Sequence, residues 1–224
     1  MPVITETPEP LSRRERERLQ RRREILDAAR AVFAEKGYSN ATLDEVAQRA
    51  EYAKGTIYNY FASKDDLLLA IFDDLYDDLN AIIEARFSPA SMEGRSLEEV
   101  FHGFVRAYME HFFQNRELFL ILVKEAYRMV FSDDREKACY FQQQRERMVS
   151  AMVPTLEHAI ARGEMKPLPA VAVANMLLGN VNGMQMHIAL EGLEEAPCDP
   201  VLHTSDDAAA FLTTMLCDGL LDRS

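Results

Sequence analysis

Thr42-Leu43-Asp44-Glu45-Val46-Ala47, then Ala53-Lys54-Gly55-Thr56-Ile57-Tyr58-Asn59-Tyr60-Phe61, then Ser63-Lys64-Asp65-Asp66-Leu67 is the stretch on which the fold turns. Thr42 and Glu45 stand three apart, a capping box that opens a short helix ending near Ala50. In the second segment Ile57 and Phe61 are four apart and face inward, leaving Lys54, Thr56, Tyr58 and Asn59 on the outer side of a short helix. Ser63 and Asp66 repeat the capping signature and open a long helix with Leu67, Ala70, Ile71, Leu75, Leu79, Ile82 and Ile83 at apolar positions, ending near Pro89. Two short helices joined by a tight turn, the second with a polar outer face, make a helix-turn-helix whose recognition helix enters the major groove of DNA.

Outward from that core the same signals continue. Upstream, Ile25, Ala28, Ala29, Val32 and Phe33 form one apolar stripe on a helix from about Ser12 to Lys36, stopped by Gly37. Downstream, helices are expected at Leu97 to about Asn115, Glu117 to about Val130, Asp134 to Arg162, Ala170 to about Glu191, and Asp206 to Leu221, with a loop from Gly192 to His203. Pro154 lacks a backbone donor and is expected to kink or break its helix. Runs of alternating β-branched residues with hairpin turns are missing, so the predicted fold is all-α. A three-helix helix-turn-helix domain over residues 12–64 follows a disordered tail, 1–11, and precedes a larger helical ligand-binding and dimerisation domain, 65–224.

Composition supports a globular chain and narrows its class. The chain has 224 residues, 48% of them hydrophobic and 28% charged, enough apolar side chain for a real core. Apolar runs such as Leu67 to Phe72 fall far short of the roughly 18 residues of a membrane span. Cys139, Cys198 and Cys217 form neither a disulfide framework nor a metal pair, and the acidic, Pro-rich start is unlike a signal peptide, so a cytoplasmic setting is expected. The net charge of -12 hides an asymmetry: residues 12–64 carry 12 basic and eight acidic side chains, or +4, leaving -16 for the rest. A basic end on an acidic body suits a two-part DNA-binding protein.

The quoted segments closely resemble the DNA-binding domain of the TetR family of regulators over about residues 22–72, and the rest of the chain resembles that family in length and helix succession. The resemblance implies that Lys54, Gly55, Thr56, Tyr58 and Asn59 lie on the recognition helix and that Thr42, Tyr60 and Lys64 clamp phosphates from either side. The chemistry agrees, because hydroxyls and ammonium groups bond phosphate oxygens, Asn bonds adenine edges, and Gly admits the DNA backbone. For Tyr58 and Tyr60 packing between helices is the alternative. The chain departs from the family pattern in the turn, where Ala-Gly-Val-Ser is usual and Ala50-Glu51-Tyr52-Ala53 stands here. A left-handed Glu51 costs on the order of 1 kcal/mol, and the lost Ser cap at Ala53 about as much. Ahead of this domain Arg13, Arg14, Arg16, Arg18, Arg21, Arg22 and Arg23 alternate with Glu15 and Glu17, either as a solvated helix extension or as a basic arm on DNA.

In the second domain Met176, Gly179, Gly183, Met186 and Leu190 form one helical stripe, whose glycines allow close approach of another helix. The resemblance implies that the last two helices form a four-helix dimer interface. A second stripe, Val173, Leu177, Asn180, Met184 and His187, together with Phe104, Tyr108 and His111, has the mixed character of a small-molecule pocket. Glu125 joins these pocket residues; His111, Glu125 and His187 are chemically suitable metal ligands but lack ligand spacing, so neither a metal nor a cofactor is expected. No Gly-rich phosphate loop or nucleophile elbow marks an enzyme. The expected partners are a near-palindromic double-stranded DNA operator, a small-molecule effector and a second copy of the chain, with no membrane; a helical adaptor or a small-molecule enzyme is the competing reading.

Overall fold

The computed structural model describes residues 12–131, 135–191 and 204–220. Among them the chain is helical, with no extended strand: α1 Arg13–Lys36, α2 Leu43–Arg49, α3 Lys54–Tyr58, α4 Lys64–Arg86, α5 Leu97–Gln114, α6 Arg116–Val130, α7 Arg135–Ala161, α8 Ala170–Glu191 and α9 Ser205–Leu220. A 3-10 turn, Pro89–Met92, which the sequence pattern does not signal, sits between α4 and α5. The expected tail 1–11, the loop 192–203 with Cys198, and the start at Asp134 lie outside the described residues.

Local chemistry sets the helix starts. The Ser12 hydroxyl accepts from the Glu15 amide, and the Glu15 carboxylate accepts from the Ser12 amide at 2.9 Å, a reciprocal cap that holds the Glu15 acid below its usual range. Thr42 and Glu45 do the same for α2, and Ser96 and Glu99 for α5. Gly37, at φ 73°, ends α1 with its N–H on the Phe33 carbonyl at 2.9 Å. Pro154 does not break α7, which continues to Ala161. Pro154 and Ser150, the residue whose carbonyl loses its donor, are both on the exposed side, so that carbonyl is not buried without a donor.

The chain divides into two compact units between Phe72 and Asp73, so the boundary falls inside α4 rather than at Lys64. The first unit keeps the opening turns of α4 because Leu67, Leu68 and Ile71 there are fully buried. Its core also contains Ile25, Ala29, Val32, Phe33, Val46, Ala47, Ile57 and Phe61, the stripe read on α1 together with the inward residues of the helix-turn-helix. In the second unit α5 packs along α9, α7 along α8, and α6 against α7. Phe87, Phe101, Phe104 and Tyr108 meet edge-on or tilted through that core, with centroid separations from 5.4 to 6.5 Å. The Thr155 hydroxyl, wholly buried, donates to the Phe87 carbonyl at 3.0 Å.

Candidate functional site

The helix-turn-helix is built around one buried residue of α3. Ile57 is fully buried, while Lys54, Gly55, Tyr58 and Asn59 are exposed and Thr56 is half-buried, which is the polarity division the sequence predicts. Tyr58 is 48% exposed, so it is not a packing residue. At Gly55 an added Cβ would meet nothing within 4 Å, leaving open space over the helix start. The helix is shorter than expected: it closes at Tyr58, Asn59 caps it, and the Tyr60 and Phe61 amides both turn back to the Ile57 carbonyl. Asn59 and the half-buried Tyr60 therefore follow the helix end.

Three expected contact groups are already engaged within the unit. The Lys54 ammonium lies 2.7 Å from Asp44 on α2, which raises its pKa. The Thr42 hydroxyl caps α2, accepting from the Glu45 amide at 3.3 Å. Lys64, expected at a phosphate, instead donates to the backbone carbonyls of Tyr38, Ala41 and Ser39 at 2.7, 2.8 and 3.3 Å and lies 4.5 Å over the Tyr38 ring. An ammonium has three donors, and all three point into the corner between α1 and α2. Lys64 is a fastener of that corner.

The altered turn adopts the strained form the sequence implied. Glu51 has φ 59°, and Ala53 begins α3 without a side-chain cap. Tyr52 stabilises the turn from outside: its amide bonds the Ala47 carbonyl at 2.9 Å and its hydroxyl donates to Glu24 on α1. That bond lowers the Glu24 pKa and raises that of Tyr52. A Glu51→Gly, Ala53→Ser variant is expected to stabilise the first unit by about 1 kcal/mol or more, since it removes left-handed strain and restores a cap. Chemical denaturation of the full chain checks this; a less stable variant would refute the strain assignment.

In the second unit the expected pocket residues divide. Phe104, Tyr108 and Met184 lie in one buried cluster with Val173 and Leu177. His111 is half-buried, with a buried Nε2 that has no hydrogen-bond partner among the described residues, and burial lowers its pKa against the opposing pull of Asp78. Glu125 is buried and pairs with Arg128 at 2.5 Å. Asn180 donates to the Met176 carbonyl of its own helix, and His187 is exposed, so these two do not join Phe104 and Tyr108. Among the described residues no three His, Cys, Asp or Glu side chains gather around a common metal position.

Two polar groups escape a reading of the sequence. Asn80 Oδ1 on α4 and Gln144 Oε1 on α7 are buried without partners among the described residues, like His111 Nε2 on α5. Asn80 follows Tyr76 by four and precedes Ile83 by three, so a polar residue in an apolar register is the available signal. Burial pushes the Tyr76 phenol up to about 12 and raises that of Tyr108, so both remain protonated donors.

The stripe expected at a dimer interface is exposed. Met176 is 60% exposed, Met186 is half-buried, and added Cβ atoms at Gly179 and Gly183 would meet nothing within 4 Å, which leaves no intrachain packing role for those glycines among the described residues. The Leu190 side chain lies outside the described residues. Phe211 and Met215 on α9 add exposed apolar surface.

Comparison with known proteins agrees with this geometry. Residues 25–71 match the model of bacterial regulatory proteins of the tetR family, and residues 102–198 match the tetracyclin repressor-like C-terminal domain. The chain belongs to the TetR family. It is similar to the transcriptional activator FasR of Mycolicibacterium smegmatis, 32% identical over 115 residues, which are 51% of this chain and 47% of that protein. It is also similar to the fatty acid metabolism regulator protein of Bacillus subtilis, 43% identical over 51 residues, 23% of this chain and 26% of that protein. The chain thus spans about half of the first relative and a quarter of the second in these matches. Among solved structures, the regulator FadR of Bacillus subtilis in complex with stearoyl-CoA has a TM-score of 0.71 at 19% identity, covering 88% of this chain and 98% of that one. The family is one of transcription regulators rather than enzymes, and no described helix is long and apolar enough to cross a membrane.

Proposed function

We propose that this TetR family regulator is a homodimeric repressor that binds a near-palindromic DNA operator and is released by a small-molecule effector. The observation that carries the reading is α3 and its cap, where Lys54, Tyr58 and Asn59 are exposed and Thr56 half-buried around open space at Gly55, while Ile57 anchors the helix from below. Lys54 and Thr56 bond phosphates, Tyr58 and Asn59 reach base edges, and Tyr60 flanks the backbone. Asp44 orients the exposed Lys54 ammonium in the free chain and leaves it further donors for a phosphate. Purified protein is offered random-sequence duplexes; enrichment of a near-palindrome supports the reading, and absence of any enriched sequence with or without cell extract favours the adaptor or enzyme alternative.

A symmetric operator needs two recognition helices about one helical turn apart, roughly 34 Å, and hence a dimer. The exposed stripe of Met176, Gly179 and Gly183 on α8 with Phe211 and Met215 on α9 supports an isologous interface there. Met176→Lys is expected to shift the protein to monomer in sedimentation and to abolish cooperative operator binding, because it buries two symmetry-related cations against apolar surface. A variant that stays dimeric would move the interface elsewhere.

The effector is placed in the core of the second unit, its apolar body among Phe104, Tyr108 and Met184 and its polar group on Asn80, His111 and Gln144, whose buried atoms otherwise lack partners among the described residues. Long-chain acyl-CoA esters are the first class to test, given the ligand named for the FadR structure. Release requires the effector to bind the DNA-incompetent arrangement more tightly than the competent one; tight binding alone shifts nothing.

A further inference from the structure

The seven arginines at the start of α1 have an arrangement that the recognition helix does not explain. Arg14, Arg18, Arg21 and Arg22 precede Ile25, Ala29, Val32 and Phe33 at steps of three and four, so they continue the face with which α1 is buried in its unit. The direction is visible where the two parts of the stripe meet. The Arg22 guanidinium lies 5.6 Å over the ring of Phe61, just past the recognition helix, and next to it Glu24 accepts from Tyr52 of the turn. Arg13, Arg16 and Arg23 lie on the opposite side.

The extension is a formed helix and its acids are occupied. Ser12 and Glu15 cap it, Glu17 pairs with Arg13 at 2.8 Å, and Glu24 receives Tyr52 and Gln20. Among the described residues no hydrogen bond or ion pair engages Arg14, Arg18 or Arg21, and all three are exposed. From Arg14 to Ile25 the helix advances about 16 Å beyond the buried core. Acids flank this face, with Glu17 three after Arg14 and Glu24 three after Arg21, but Glu17 is turned to Arg13 and Glu24 to Tyr52 and Gln20, and the face with Arg14, Arg18 and Arg21 points to the helix-turn-helix side.

We propose that the Arg14, Arg18 and Arg21 face is a second nucleic-acid contact, a rigid basic rail that lies on the phosphates of duplex DNA beside the segment held by α3. The rail reads no sequence; guanidinium groups on phosphates supply affinity, register and salt sensitivity. Its partner is the same duplex, so the inference rests on the DNA-binding reading above, but its contribution extends to DNA of any sequence.

The test compares full-length wild type, an Arg14→Gln, Arg18→Gln, Arg21→Gln variant, and an Arg13→Gln, Arg16→Gln, Arg23→Gln variant with the same net charge but changes on the opposite face. The probe is a random-sequence duplex several helical turns long, titrated across salt, with circular dichroism to check that α1 remains helical. The first variant is expected to bind roughly tenfold more weakly near physiological salt, with a slope of log affinity against log salt shallower by about 0.9 for each phosphate that it no longer neutralises. The second should stay within about twofold of wild type, because its side chains point away from the phosphates. Equal weakening in both variants would reduce the effect to bulk charge, and no weakening in either would leave the rail solvated; each overturns the proposal. Stronger stripe-dependent binding to a folded RNA than to the duplex overturns it in favour of another nucleic acid. Enrichment of a near-palindrome with an unchanged salt slope in the first variant removes the rail alone, whereas a stripe-dependent slope without any enriched sequence removes the operator reading alone.

Discussion

A Lys54→Ala, Tyr58→Ala double variant is expected to bind the selected operator at least a hundredfold more weakly while unfolding like the wild type. The effect is large because each direct contact to a base edge or phosphate contributes about 1–3 kcal/mol and every contact recurs in the symmetric half-site. The fold is spared because neither side chain is part of the core: Tyr58 is half exposed, and the Lys54 ammonium pairs with Asp44, itself on the surface. Ile57, which does anchor α3, is untouched. Operator titrations and denaturation curves on the same preparations check both halves. A double variant that keeps its operator would remove α3 from the interface, and one that unfolds would mean that Tyr58 packs in solution.

Lys64→Met is expected to destabilise the first unit by roughly 2–3 kcal/mol, a large share of the few kcal/mol that a unit of this size possesses. Methionine keeps the apolar stem but leaves the carbonyls of Tyr38, Ser39 and Ala41 without their donor and the Tyr38 ring without its cation. Those carbonyls belong to the connection from α1 to α2, so amide exchange should accelerate across α2 and α3 while the second unit is unchanged. The Tyr38 hydroxyl, which donates to Asp65 one residue beyond Lys64, ties the same corner and softens the effect. A phosphate clamp makes the opposite prediction: Lys64→Met would melt like wild type and show a shallower salt dependence of DNA binding.

Much of this architecture is legible without coordinates because its signals are local. The capping boxes at Ser12 and Thr42, the stop at Gly37 and the apolar stripes each involve residues no more than a few positions apart, so sequence spacing alone specifies them. The strain at Glu51 is legible only through the family resemblance, whose turn carries Gly at that position. Other features depend on partners far along the chain. Spacing alone extends the recognition helix to Phe61, although it closes at Tyr58, and groups His187 with the buried Val173, Leu177 and Met184, although His187 is exposed. No motif marks Asn80 or Gln144, whose amide oxygens are buried.

The amino-acid sequence by itself determined the all-α class, the helix-turn-helix and the polar outer face of α3, because helix starts, stops and faces follow from interactions within one or two turns. Only the tertiary structure decided what each functional group has left to offer. Lys64 meets carbonyls more than twenty positions upstream, Lys54 meets Asp44 across the turn, and Arg22 meets Phe61, which aims the basic face of α1. A cation's role depends on which acceptors surround it, and three-dimensional packing sets those neighbours.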